Sequence, residues 1–280
     1  MNRSFLALTL LFSSCAYAWN ATGHHIVAQI AYDNLSPKVK RQVNAMNRAF
    51  SPRSHSAKFV WAASWADRLR GGPYKIYENW HYIDVPYTTD GSPVDQPVMQ
   101  NALWAVTHTR RAFLDPELSP HDQSFNFRFY IHIVGDLHQP LHCIDRFSRE
   151  HPQGDRGGNS VLIDSKYGKN LHQYWDRGAG YFEDQYPYRR WTAKQLRTVA
   201  RRIEQEFPKS SLATEASILE PYRWSEESNR LAREKVYQLH AGEAPSPDYQ
   251  QESREIIKRQ LALAGYRLAA SLNQAFATSK

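Results

Sequence analysis

The sequence predicts a mainly α protein: a single-domain helical bundle with long loops and one small β-hairpin. Three observations predict it. Apolar residues recur at helical spacing over most of the chain, and only one short stretch switches to alternation. The 280 residues are 41% hydrophobic and 22% charged, enough for one substantial core at a length that favours one domain. No internal repeat or low-complexity tract divides the chain, and 13 Gly and 15 Pro exclude collagen-like and disordered compositions.

Residues 23–35 place Ile26, Val27, Ile30, Ala31 and Leu35 on one side of a helix. Helices are also predicted over 37–50, 56–70 and 97–114, the second of these carrying the Trp61, Trp65 and Leu69 stripe. Residues 125–137 are apolar almost all round, which predicts a central buried helix, and Pro140 stops it. The pattern becomes strand-like over 159–164, and Tyr167-Gly168-Lys169 offers the turn of a hairpin. Residues 192–207, 212–240 and 248–276 read as helices, with Pro245 and Pro247 separating the last two. Long irregular loops are expected around 71–96 and 143–170.

The first segment reads as an address. Arg3, an apolar run from Phe5 to Phe12 and Ala16-Tyr17-Ala18 form the charge, apolar core and small-x-small pattern of a secretory signal over residues 1–18. The run is too short to span a bilayer, and no later span is predicted. Cleavage after Ala18 starts the mature domain, 19–280, at Trp19 and lowers the net charge from +7 to +6, because Arg3 is lost. Acylation at Cys15 is the alternative, but Phe12-Ser13-Ser14 is a poor lipoprotein signal. After cleavage Cys143 stands alone, so no intramolecular disulfide can staple the fold. A basic surface suits anionic partners such as nucleic acid, phosphate esters or acidic lipid, although solubility alone would explain it equally well.

Twelve histidines raise the question of metal. His132 and Asp136 lie four apart on the buried helix, so they share a face about 40° apart. An ionised carboxylate among Phe125, Phe129, Ile133 and Leu137 must be paired or metal-bound. A plain His–Asp hydrogen bond would satisfy one such pair. The spacing recurs in His172 and Asp176, and His142 follows Pro140-Leu141. Imidazole mixed with carboxylate suits zinc. His24 falls on the apolar side of the first helix, whereas His25 points away and reads as solvated. Asp67 lies in line with Ala63 and Arg70, where an arginine pair is the simpler role, and His81 sits in the aromatic run Trp80-His81-Tyr82.

Taken in order, these residues resemble a known family. Trp19 and His24 with four residues between them, Ser64-Trp65-Ala66-Asp67, His81-Tyr82-Ile83-Asp84, His132-Ile133-Val134-Gly135-Asp136, Pro140-Leu141-His142, Gly157-Gly158-Asn159 and Leu171-His172 followed by Asp176 are similar to the motifs of the S1/P1 nucleases. That family comprises secreted trinuclear-zinc phosphodiesterases acting on single-stranded nucleic acid. The resemblance covers 19 to about 176, and beyond it only helical character agrees.

The resemblance implies a helical domain of the phospholipase C/P1 nuclease type holding three Zn²⁺ ions. Asp67, His81 and His132 would hold one; the amine and carbonyl of Trp19 with His24 a second; Asp136 would bridge these two; and His142, His172 and Asp176 would hold the third. Such an enzyme would cut single-stranded RNA or DNA to 5′-phosphates and act on 3′-nucleotides, as a monomer with no stable protein partner. Signal cleavage would create the terminal amine ligand, placing the protein outside the cell or in the periplasm. Asp67, Arg70 and Asp136 are the expected catalytic core, Arg70 neutralising a phosphate oxygen. Tyr82 would stack a base, with Asp84 and Asn159 reading its edge. A core role for Tyr82 and a plain Asp67 pair for Arg70 stay open.

Two other classes share the ligands: a zinc-dependent phospholipase C and a non-catalytic zinc-binding protein. The missing disulfides depart from many family members; Asn20-Ala21-Thr22 formally matches a glycosylation acceptor but is discounted, because a glycan would intrude on the site. Cys143, next to His142, is expected to be a buried, inert thiol rather than an adventitious ligand, and His138 either to support a ligand from behind or to serve packing.

Overall fold

In the computed structural model, residues 19–70, 72–187 and 190–277 are described. The expected signal peptide, Cys15 included, lies outside them. Asn20 opens α1 (Ala21–Asp33), its side-chain oxygen accepting from the Thr22 and Gly23 N–H groups. Ser36 caps α2 (Pro37–Phe50) and a proline occupies its first turn, the arrangement that best suits the unpaired N–H groups there. After α3 (Phe59–Ala62) come α4 (Ala102–Leu114), capped by Asn101, and α5 (Pro120–Asp136), capped by Ser119. Then follow α6 (Leu171–Asp176), α7 (Tyr181–Gln185), α8 (Ala193–Glu206), α9 (Ala213–Ala216), α10 (Pro221–Glu234) and α11 (Pro247–Ala277). Thr192 and Gln195 form a reciprocal capping box on α8.

Four expectations are corrected. The helix predicted over 56–70 is broken into a 3₁₀ turn His55–Ala57, α3 and a 3₁₀ turn Ala66–Leu69. At the break the Ala63 carbonyl accepts from the His132 ring at 2.6 Å instead of from the next turn. The helix predicted over 212–240 is divided into α9, α10 and a 3₁₀ turn, because Pro221 cannot continue a helix but can begin one. The loop expected over 71–96 contains a ten-residue 3₁₀ helix, Gly72–His81. The hairpin near 159–170 is reduced to one antiparallel bridge, Leu162 with Asn170. The regular strands are instead β1 (Pro86–Thr88) and β2 (Asp145–Phe147), which pair in parallel with Pro86 opposite Asp145.

The mainly α architecture centres on α5, against which α4, α2, α11 and α1 pack. Its Phe127, Phe129, Ile131, Ile133 and Val134 are all buried. Burying side chains of this size contributes about 1.5–3 kcal/mol each. Even Arg128 is buried, donating to the Ser56 hydroxyl and the Asn47 carbonyl while its guanidinium lies 4.6 Å from the Phe50 ring centre. His138 is also a packing residue: one ring nitrogen donates to the Val134 carbonyl, and the other accepts from Arg267, itself held by Glu227. Buried Cys143 has its thiol pKa pushed well up by desolvation. Among the described residues no helix is long and apolar enough to cross a membrane.

On the far side α1 meets α11 at Gly265. A Cβ there would lie 2.5 Å from the Ile30 Cγ2 atom and 3.1 Å from the Val27 carbonyl oxygen. Gly265→Ala is therefore expected to destabilise the protein by about 1–3 kcal/mol through overpacking. Thermal unfolding checks this, and an unchanged Tm would count against so tight a crossing.

Candidate metal centre

The site forms at the C-terminal end of α5. Being helical and four apart, His132 and Asp136 point the same way, and each is fully buried. Three imidazoles surround the Asp136 carboxylate. His24 Nε2 from α1 lies 3.2 Å from Oδ1; His81 Nδ1 from the end of the 3₁₀ helix and His132 Nε2 each lie 3.2 Å from Oδ2. The two rings approach each other to 2.9 Å between His81 Nδ1 and His132 Nε2. Asp67 enters from the broken segment, Oδ1 3.6 Å from His132 Nε2 and 4.0 Å from the Arg70 guanidinium.

A second centre lies where α6 meets the 3₁₀ turn Pro140–His142. His172 Nε2 is 3.2 Å from His142 Nε2 and 3.4 Å from Asp176 Oδ2. Trp19 is buried between the centres: its indole donates to the Gly135 carbonyl, and the N–H of Asn20 donates to the Asp176 carbonyl. Gly135 allows this crowding, because a Cβ there would stand 2.8 Å from His24 Nδ1. Three groups result that could hold metal: His24, Asp67 and His132; His81, His132 and Asp136; His142, His172 and Asp176. They contain all eight side chains named as ligands from the sequence.

The electrostatics explain why these groups are unusual. Burial pushes His81 and His142 down to about 4 and lowers His24 as well. Burial acts the same way on His132, but the carboxylates of Asp136 and Asp67 overcome it and lift the ring to about 9. Burial would raise Asp136, yet the His132 charge beside it holds its carboxyl well below the usual range. Burial pushes Asp176 well above that range, and the hydrogen bond from Gln139 and the charge of Arg70 only partly offset it. Among the described residues, both His24 ring nitrogens, His81 Nε2, Asp67 Oδ1 and both Asp136 oxygens are buried without a hydrogen-bond partner. Meanwhile the outer nitrogens of three rings donate to backbone: His132 to Ala63, His142 to His81 and His172 to Gly157, at 2.6, 2.6 and 2.7 Å. This fixes each ring with its other nitrogen aimed inward, as metal-binding histidines require. The donor set fits a divalent cation that accepts imidazole and carboxylate together.

Around the rim, Tyr82 is half-buried and its hydroxyl donates to Asn79. Burial and then Asp84 push that hydroxyl up to about 12. Asp84, also half-buried, is raised to about 7 by burial and by Asp145. Asn159 donates to the Arg156 carbonyl, leaving its own buried oxygen unpartnered among the described residues. The charge of Arg156 acts on both Tyr82 and Asp84, so it is the common neighbour of the expected base-reading residues. Arg70 has one buried guanidinium nitrogen without a hydrogen-bond partner among the described residues, and its charge reaches His81, His142 and Asp176.

Three residues were missed or misread in the sequence. His25 is not solvated: its ring is 2.8 Å from the Ser64 hydroxyl and edge-on to Trp61, and burial lowers it to about 3. A helical wheel shows only which side of α1 it takes, not that the 56–70 segment covers that side. Gln139 orients Asp176 by donating to Oδ1 at 2.6 Å while accepting from the Leu141 N–H. Its place just before Pro140 was the available signal. Arg156 had none.

Comparison with known proteins identifies the family. The sequence profile of the S1/P1 nuclease family matches residues 19–277. Nuclease P1 of Penicillium citrinum is 25% identical, aligned over 91% of this chain and 97% of its own. Endonuclease 3 of Arabidopsis thaliana is 25% identical over 99% of this chain and 95% of its own length. Nuclease S1 of Aspergillus oryzae is 23% identical over 95% of each. With its matched length running from Trp19 to the last turn of α11, the chain belongs to the S1/P1 nuclease family.

Proposed function

We propose that this chain is a secreted or periplasmic zinc-dependent endonuclease that hydrolyses single-stranded RNA and DNA to 5′-phosphate products and removes phosphate from 3′-nucleotides. The nuclease relatives support hydrolysis of nucleic acid phosphodiesters. The observation that carries the reading is the convergence of buried, unpartnered His and Asp atoms whose rings are pinned from behind.

In this reading Asp67, His81 and His132 would hold one zinc and Trp19 and His24 a second, with Asp136 available to both. His142, His172 and Asp176 hold a third. The Trp19 amine becomes a ligand once residues 1–18 are removed after Ala18. Zinc held there supplies Lewis acidity, polarising phosphoryl oxygens and lowering the pKa of water.

The chain's own residues do the rest. Buried rings around Asp136 exclude bulk water, which strengthens every charge interaction with the phosphate. The unpartnered Arg70 nitrogen offers a donor to a non-bridging oxygen as negative charge builds there. Tyr82 stacks the base on the 5′ side of the cleaved linkage. Only an unpaired base presents that flat face, which gives the single-strand preference. Asp84 and Asn159 receive the base edge; Asp84 is a neutral donor and acceptor below about 7 and an acceptor alone above it. Water adds to phosphorus, the bond to the 3′-oxygen breaks, and the 3′-hydroxyl leaves with a proton.

Zinc-loaded, processed protein is expected to cleave single-stranded RNA and to lose that activity to a chelator, with recovery on zinc addition. No cleavage at full zinc loading overturns the reading. Tyr82→Ala should lower kcat/KM on RNA by roughly 10- to 100-fold while sparing an artificial aryl phosphodiester, whereas equal loss on both substrates rejects base stacking. Because Asp84 changes charge near pH 7, KM for RNA should change across that pH, and Asp84→Asn should flatten the change. A KM profile unaltered by the substitution would separate Asp84 from the base.

A further inference from the structure

A 3₁₀ helix has three residues per turn, so side chains three apart stand in line along one edge. In Gly72–His81, continued to the next residue, this sorts the side chains into three edges. Tyr74, Tyr77 and Trp80 form one, anchored where Tyr77 meets Trp80 at 4.8 Å and Phe129 at 5.3 Å. Lys75, Glu78 and His81 form another, which ends at the Asp136 centre. Ile76, Asn79 and Tyr82 form the last, and its continuity is visible in the 2.9 Å hydrogen bond from the Tyr82 hydroxyl to Asn79 Oδ1.

Ile76 heads that edge and is 72% exposed. Of the eight large hydrophobic side chains exposed among the described residues, six lie between positions 74 and 104. They flank the segment that carries Tyr82, whose carbonyl accepts from the N–H of Ala102 at the start of α4. An apolar ledge in line with an aromatic ring, joined to it by an amide, has the composition of a single-strand stacking surface.

We propose that the Ile76–Asn79 edge is a second nucleobase subsite, taking the base on the 5′ side of the one stacked on Tyr82; this rests on the nuclease reading above. Direction follows from the helix. The 3′-phosphate of the nucleotide at Tyr82 is drawn toward the His81 end, where the metal-ligand candidates lie. The edge leads the other way, so only the 5′ neighbour can follow it. At about 2 Å rise per residue, Asn79 is about 6 Å and Ile76 about 12 Å along the axis from Tyr82, which seats the base over the Asn79 amide against Ile76. Lys75 and Glu78 on the adjacent edge offset one another, so the contact is apolar and its strength does not follow salt.

The test compares dithymidylate with trithymidylate on processed, zinc-loaded protein, measuring initial release of thymidine 5′-phosphate from the 3′ end. The trimer is expected to have a kcat/KM roughly tenfold higher, mainly through KM, and the ratio should persist at raised salt. Ile76→Ser should bring the ratio close to one, and Ile76→Trp should raise it, a gain that no folding defect imitates. Cleavage with a ratio indifferent to residue 76 overturns the subsite and leaves the nuclease reading standing. Failure to cleave either oligonucleotide overturns the nuclease reading and the subsite with it. Co-sedimentation with phosphatidylglycerol vesicles that is lost in Ile76→Ser, with the oligonucleotide ratio unmoved, assigns the ledge to a lipid surface and also overturns the proposal.

Discussion

One carboxylate governs this structure. Asp136 is fully buried at the end of the central helix α5, and an isolated ion there would cost several kcal/mol. Three imidazoles from three separate segments meet it at 3.2 Å. The same charge does most to lift the His132 pKa against burial. The positions of α1, α5 and the 3₁₀ helix are thereby mutually fixed by a polar cluster in the middle of an apolar core. Such a cluster is stable only if every member is satisfied, and within the protein several are not.

The backbone supplies much of the precision. Carbonyls of Ala63, His81 and Gly157 each orient a ring. Two of these carbonyls belong to segments that contribute to the site themselves: Ala63 lies just before Asp67, and His81 is one of the clustered rings. A displacement of the 63–70 segment would therefore disturb Asp67 directly and His132 through its outer nitrogen. The His25–Ser64 contact tethers that segment to α1 and so couples it to His24.

Local signals were readable where they decided the outcome. Helix α2 occupies the expected 37–50, since Ser36, Pro37 and its apolar stripe all act within a few residues. The clustered side chains were found from i, i+4 spacing together with motif order, because helical geometry alone aligns His132 with Asp136 and His172 with Asp176. What stayed hidden depended on partners far away in sequence. The interruption near Ala63 reflects a ring 69 positions distant, and the environment of His25 is set by a residue 39 away. The division at Pro221 was different, because the proline was visible and periodicity was allowed to outweigh it. Period three in Gly72–His81 was also present in Tyr74, Tyr77 and Trp80, but a loop was expected there.

The parallel pairing of β1 with β2 involves only three residues a side, yet it joins the two stretches that frame the rim. Asp84 precedes one strand by two positions, Arg156 and Asn159 follow the other, and further backbone bonds run from Ile83 to His142 and from Asp145 to Val85. The mouth is thus a slot with sewn jaws rather than a hinged clamp. The two sides of the rim are therefore tied to each other through backbone, so a shift of one carries the other with it.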